Sequence, residues 1–248
     1  MLESRAARLG RIMLIAAVLM APWVTATAQQ DVVRETRSVE AFTELSFSVP
    51  GTVYLRQGEP QSVEVEAPQK VLNRLETVVD GDELEIRSEN EGTLFGWFGG
   101  DGFDGEVKVY VTAPTLSEIS IAGSGRIVGE TPIEGSSLEV QNAGSGEVDL
   151  TVQNDEMEVN IAGSGTIRLR GTSGSFEASI AGSGDIEAAE LETATAEVSI
   201  AGSGDVRLHV TDRLEASIMG SGDVQYRGSP ELETSSMGSG DVKPIEQE

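Results

Sequence analysis

A glutamate stands five residues before each of seven Gly-Ser-Gly tripeptides: Glu118, Glu139, Glu158, Glu177, Glu197, Glu215 and Glu233. Three residues after the first glycine of each tripeptide stand Arg126, Glu147, Thr166, Asp185, Asp205, Asp223 and Asp241. Carboxylates repeated at fixed spacing are the oxygen ligands that Ca2+ accepts in irregular geometry. The candidate metal ligands are therefore Asp185, Asp205, Asp223 and Asp241 with Glu177, Glu197 and Glu215. The same groups also read as a solvated face, screened by salt and partly paired with Arg168, Arg207 and Lys243. The unit lacks the GGxGxD nonapeptide of calcium-binding β-rolls and repeats at about twice that period. Between the two acidic rows lies a polar one, Ser120, Asn160, Ser179, Ser199, Ser217 and Ser235, whose hydroxyls suit hydrogen bonding to a glycan.

A second candidate contact element is residues 91–105, EGTLFGWFGGDGFDG, which set Phe95, Trp97, Phe98 and Phe103 in glycine-rich backbone. Such aromatics can stack on sugar rings, enter a membrane surface or dock a partner protein. The alternative is a long loop folded over the open end of a core. Catalytic chemistry finds few candidates. His209 is the single histidine, cysteine is absent, and no serine lies in a nucleophile-elbow sequence. No catalytic residue is assigned.

These rows require elements that repeat. The tripeptides begin at Gly123, Gly144, Gly163, Gly182, Gly202, Gly220 and Gly238, 18 to 21 residues apart, a period that marks a solenoid. Four residues after each first glycine stand Ile127, Val148, Ile167, Ile186, Val206, Val224 and Val242, all β-branched. Two residues before it stand Ile121, Asn142, Ile161, Ile180, Ile200, Ile218 and Ser236. This alternation predicts half-buried strands. Each unit reads as a strand, a glycine corner, a second strand and a second turn. Strands recurring in one direction at this period predict an all-β, single-chain parallel β-helix. At ~4.8 Å per coil, seven units make a rod roughly 30 Å long. The repeat β-helix is expected over 116–248, and Ser236 inward with Pro244 in the last strand suits a cap at its C-terminal end.

Before Leu116 the pattern is less regular. Residues 42–47, 52–55, 63–66, 83–87 and 107–112 predict strands, and 69–76 a short helix after Pro68. The expected layout is a linker over 29–37, then an opening β segment over 38–115 that caps the other end; a separate N-terminal β-domain is the alternative.

The first residues have the parts of a secretory leader: Arg5, Arg8 and Arg11, an apolar run over 12–21, and Ala26-Thr27-Ala28 as a cleavage site. Export with removal of residues 1–28 is expected, to the periplasm, the cell surface or beyond. Ten apolar residues before Pro22 are too few to span a bilayer. No later stretch is long enough to span a membrane, and no cysteine follows for lipoprotein acylation. The absence of cysteine excludes disulfides and thiolate metal sites, so packing must supply stability. The formal net charge is −25, and loss of the leader's arginines makes the remainder more acidic still. Nucleic acid is excluded as a partner, since phosphate binding rests on Lys and Arg.

The segment LSEISIAGSGRIV over 116–128, its successors SIAGSGDI and SIAGSGDV, and the opening FTELSFSVPGTVYLRQGEPQSVEVEAP together resemble the head GIN domain family, described as autotransporter adhesins. The resemblance covers most of residues 38–243. It implies a right-handed parallel β-helix exposed in the periplasm or outside the cell, and it supplies no catalytic residues. No translocator barrel precedes Glu248, so classical autotransport is not expected. The sequence reading is a non-catalytic envelope protein, an adhesin-like module for a glycan or cell-surface protein. Two other readings remain open: a carbohydrate-active β-helix lyase or hydrolase, and a Ca2+-stabilised structural rod. The first would gather one compact charged cluster in a groove. A binding rod would repeat equivalent residues along a face.

Overall fold

The computed structural model describes residues 32–89 and 106–245. The expected leader, residues 1–28, and the aromatic segment 91–105, with Phe95, Trp97, Phe98 and Phe103, lie outside the described residues. The strands are β1 (Val32–Arg37), β2 (Glu44–Phe47), β3 (Thr52–Gln57) and β4 (Ser62–Pro68), then α1 (Gln69–Leu72), β5 (Leu75–Asp80), β6 (Glu83–Ser88) and β7 (Lys108–Ala113). There follow β8 (Glu118–Gly123), β9 (Arg126–Gly129), β10 (Ile133–Gly144), β11 (Glu147–Gly163), β12 (Thr166–Gly182), β13 (Asp185–Gly202), β14 (Val206–Gly220), β15 (Val224–Arg227), β16 (Glu231–Gly238) and β17 (Val242–Pro244). The chain is an all-β solenoid of about seven stacked parallel coils.

Alternation drives this stacking. Residues two apart share one face of a strand, and the inward ones are almost all Ile, Val, Leu or Phe with 5% exposure or less. One inward column runs Ile86, Phe47, Ile121, Asn142, Ile161, Ile180, Ile200, Ile218 and Ser236 in continuous parallel register. Burying each such apolar side chain stabilises the fold by roughly 1.5–3 kcal/mol. The two polar members bond locally: Asn142 Nδ2 donates to the carbonyl of Gly146 at 2.7 Å, its Oδ1 being left without a partner, and Ser236 Oγ donates to that of Gly240 at 2.9 Å. Each bond spans the glycine corner that follows, so the corner absorbs a polar group the column could not otherwise bury.

The corners stack directly. Gly202 has φ 144° and a Cβ there would run into the carbonyl oxygen of Gly182 in the coil before it. Only glycine provides both the backbone angle and the close approach.

Three expectations need correction. The second turn forms in the units that open at Gly123 and Gly220, where residues 130–132 and 228–230 break the strand, but not in the four between: β11, β12, β13 and β14 run from one corner to the next over 17, 17, 18 and 15 residues. Unequal unit lengths are absorbed as register shifts inside these strands, between Arg168 and Arg170 and between Ala188 and Glu192. The helix expected over 69–76 is the four-residue α1, because Leu75 already begins β5, where Val79 packs on the core. Residues 32–37 of the expected linker form β1, hydrogen-bonded antiparallel to β4.

Chain order and stacking order differ at the N-terminal end. The β2/β3 coil lies between the β6/β7 coil and the β8/β9 coil. After β3 the chain reverses through β4, which runs antiparallel to β7, and returns through β5, antiparallel to β6. These reversed strands close the parallel stack at that end. Among the described residues the other end has no such closure, and every residue of β16 is exposed.

Candidate functional site

Because the coils stack in register, the repeated glutamates form one column. Parallel pairings join Glu83, Glu44, Glu118, Glu139, Glu158, Glu177, Glu197, Glu215 and Glu233 without a break. Sequence spacing pointed to seven of these. Glu44 and Glu83 precede the first Gly-Ser-Gly and had no anchor for counting. The signal was nevertheless present, since Glu44-Leu45-Ser46-Phe47 and Glu118-Ile119-Ser120-Ile121 are the same pattern of outward acid, inward apolar, outward serine and inward apolar.

Like charges in neighbouring strands repel, and three side chains relieve the column locally. Gln141 donates from Nε2 to Glu118 at 3.0 Å and Glu139 at 2.9 Å. Asn160 Nδ2 reaches Glu158 at 2.9 Å and Glu139 at 3.4 Å. Arg213 pairs with Glu233 at 2.6 Å and Glu215 at 3.5 Å. Partial burial, then the charges of Glu139, Glu44 and Glu83, push the Glu118 carboxyl above its ordinary range.

The polar row runs beside the glutamates. Ser46, Ser120, Gln141, Asn160, Ser179, Ser199, Ser217 and Ser235 are paired in register, and Ser120 Oγ lies 3.3 Å from Ser46 Oγ.

The second acidic row behaves differently. Asp205 donates its backbone N–H to Asp185 Oδ1 at 3.0 Å, Asp223 to Asp205 Oδ1 at 2.8 Å, and Asp241 to Asp223 Oδ1 at 3.0 Å. Lys243 Nζ sits 2.6 Å from Asp223 Oδ2, and this bond, with the Asp241 amide, holds the Asp223 carboxyl below its ordinary range. The structure brings Asp185, Asp205, Asp223 and Asp241 into one column, and Glu177, Glu197 and Glu215 into the other. Among the described residues, no three acidic or histidine side chains are grouped so as to hold a metal ion. Of the cations expected to offset these rows, Arg168 pairs with Glu147 at 3.6 Å and Lys243 with Asp223, but Arg207 pairs with Glu187, which belongs to neither row.

A shallow open groove of about 560 Å3 runs along the glutamate column. One wall carries Glu139, Glu158, Glu177, Glu197 and Glu215; the other carries Ser137, Glu156, Ser175, Thr195 and Arg213, also in register from coil to coil. Its floor is the backbone at the buried residues Leu138, Met157, Phe176 and Ala196. Sequence reading missed this second wall because it lies seven residues before the glycine, beyond the glutamates from which the rows were counted. The groove presents an acid on one side and mostly small hydroxyls on the other, once per coil. That arrangement accepts hydrogen bonds and positive charge along its length, and it isolates no acid–base pair.

The model of the family described as "putative auto-transporter adhesin, head GIN domain" matches residues 41–230. The chain belongs to the head GIN domain family. Its solenoid is similar to that of a "putative adhesin" from Bacteroides fragilis, with a TM-score of 0.78 and 24% identity over 87% of this chain and 98% of that one. A "putative lipid binding protein" from Parabacteroides distasonis is similar with a TM-score of 0.71 and 25% identity over 88% of this chain and 98% of that one. A "putative adhesin" from Parabacteroides merdae gives 0.67 and 21% over the same shares. No protein with a curated functional description matches the chain. Among the described residues of this head GIN domain, no helix is long and apolar enough to cross a membrane.

Proposed function

We propose that this head GIN domain is an exported, non-catalytic interaction module of the cell envelope that holds an extended ligand, a glycan or a segment of a cell-surface protein, along its glutamate groove. The observation that supports this reading most is repetition. Each coil from β10 to β14 places an equivalent glutamate on one wall, and all but one of these coils place a serine, threonine or arginine opposite it; Glu156 is the exception. A ligand with its own repeat meets such a surface several times over, and weak contacts add along the rod. A lyase or hydrolase needs one distinguished pair of groups, and this groove distinguishes none. Phe95, Trp97, Phe98 and Phe103 are the second contact element of the proposal, on the sequence argument alone. A lipid, the ligand in the description of one neighbour, would lie outside the core, whose inward positions are filled by buried apolar side chains.

The test is binding to a panel of immobilised glycans and envelope proteins, comparing the wild-type chain with a Glu158→Gln, Glu177→Gln, Glu197→Gln triple variant. Expected is a bound class whose affinity falls at least tenfold in the variant with unchanged thermal stability. Binding unaffected by the triple change would move the site off the groove. Release of shortened saccharides during incubation would favour the enzyme reading.

A further inference from the structure

The two ends of the rod are built differently, and the difference bears on how copies of the chain meet. At the N-terminal end the antiparallel strands β4 and β5 terminate the parallel stack. At the other end β16 is exposed over all eight residues, and among the described residues β14 is its only partner in that face. The large apolar side chains exposed among the described residues are confined to the two ends: Val32 and Val78 on β1 and β5, and Met219, Leu232 and Met237 on or beside β16.

The open edge has defined hydrogen-bonding groups. Glu139 donates its N–H back to Ser117 of the preceding coil. In a parallel ladder both main-chain groups of a residue point to the same neighbour and alternate along the strand. The outward residues on this face therefore point backward and the inward ones forward. In β16 the forward-pointing residues are Leu232, Thr234 and Ser236, paired in register with Leu214, Ala216 and Ile218 behind them. Their amides and carbonyls face the open edge. On the other face, Pro244 in β17 has no N–H to offer, so pairing is confined to β16.

We infer that the C-terminal end docks a second copy of this chain, tail to tail, by antiparallel pairing of β16 with β16 about a two-fold axis at Thr234. Cross-strand neighbours must share a face, so Leu232 lies opposite Ser236 and Thr234 opposite its own copy. Charge decides for this arrangement. The outward residues fall as Glu233 opposite Ser235 and Glu231 opposite Met237, so the glutamate column of one rod never meets that of the other at the junction. A copy docked by its N-terminal end on this face would instead set β5, whose outward residues include Glu76 and Asp80, against the edge that carries Glu231 and Glu233, with repulsion at a strand junction. The exposed apolar groups Leu232 and Met237 become covered in both copies. One strand pair buries little area compared with permanent dimers, so the association is a reversible one.

The chain contains no cysteine, which makes the test direct. The full sequence is expressed and purified with a single Thr234→Cys, a single Val78→Cys, or no change. At an antiparallel two-fold position the two Cα atoms lie about 5.5 Å apart, within the disulfide range. Expected are a wild-type monomer–dimer equilibrium by sedimentation across the micromolar range, a covalent dimer of the Thr234→Cys chain under mild oxidation, and none of the Val78→Cys chain. A second variant, Thr234→Pro, which removes the N–H that faces the open edge and none that bonds β14, keeps the same far-ultraviolet spectrum and is monomeric. A wild-type monomer at every concentration with no Thr234→Cys cross-link overturns the proposal. So does a dimer that cross-links through Val78→Cys, or through a mixture of the two cysteine chains but not Thr234→Cys alone, since either places the N-terminal end at the junction.

Discussion

Asp205 gives its backbone N–H to the carboxylate of Asp185 in the coil before it, at 3.0 Å. In earlier coils the corresponding N–H, that of Glu147, Thr166 or Asp185, goes to a main-chain carbonyl of Gly125, Gly146 or Gly165. From Asp205 onward a side chain takes over the acceptor's role at the corner. The aspartates are thus main-chain partners first, whatever else they do.

That role separates charge from hydrogen bonding. Asp205→Ala removes the acceptor of the Asp223 amide and is expected to cost about 1 kcal/mol, the usual net worth of one such bond. Asp205→Asn keeps an oxygen in place and should cost less than half as much. Urea unfolding of the two variants decides it; equal losses would mean the carboxylate's charge matters and the bond does not.

The glycine corners invite a graded test. A Cβ on Gly123 meets nothing within 4 Å, because the coil before it has no such corner, whereas one on Gly202 runs into Gly182 main chain. Gly123→Ala is expected to cost about 1–2 kcal/mol from its positive φ alone, and Gly202→Ala more than about 3 kcal/mol, since neither stacked backbone can move without its neighbours. Comparable losses at both sites, measured as urea midpoints, would show that stacking adds nothing to the backbone term.

The repeat was legible because a two-residue alternation and an invariant corner leave one way to bury the apolar set, so Ile161, Ile180 and Ile200 fell into one inward column. Glu44 and Glu83 stayed hidden for want of a corner to count from. β5 stayed hidden because its residues form a cap whose pairing with β6 depends on a reversal no local pattern encodes. The groove's far wall was unreadable for another reason. Ser137, Ser175 and Thr195 are ordinary outward residues until parallel register lines them up beside the glutamates, and register is a property of stacked coils.

The aromatic segment yields a spectroscopic prediction. The chain has two tryptophans, Trp23 and Trp97, so in a chain produced from residue 29 onward the tryptophan emission is that of Trp97. Ligand contact there should shift its emission maximum and protect it from acrylamide quenching. A ligand that binds at full affinity with no change in either would confine recognition to the groove.

Calcium tests the acidic columns. One oxygen of Asp185, Asp205 and Asp223 is already taken by an amide, and among the described residues no three carboxylates are grouped around a common point. Millimolar Ca2+ is therefore expected to raise Tm no more than NaCl of matched ionic strength, both acting by screening the glutamate column. An excess shift abolished by EDTA and by Asp205→Asn would instead establish a bound ion, through preferential binding to the folded state.

Acid should first stabilise this protein and then destabilise it. Glu118 has its pKa raised on folding by partial burial and by Glu139, Glu44 and Glu83. The folded state therefore holds this proton more tightly than the unfolded state. Its contribution favours folding below the ordinary value of 4.5 and is lost as pH rises through the folded value. Asp223 has its pKa lowered, by Lys243 and the Asp241 amide, so its contribution is present above the ordinary value of 3.8 and is lost as pH falls through the folded one. The urea midpoint should thus rise from neutrality towards about pH 4.5 and fall again below about pH 3.8. Glu118→Gln, which leaves Gln141 and Glu139 in place, should raise the midpoint at neutral pH and flatten the rise. A midpoint that declines steadily from neutrality in both proteins would mean that the register repulsion along the column is fully screened, and that Glu118 gains nothing from its proton.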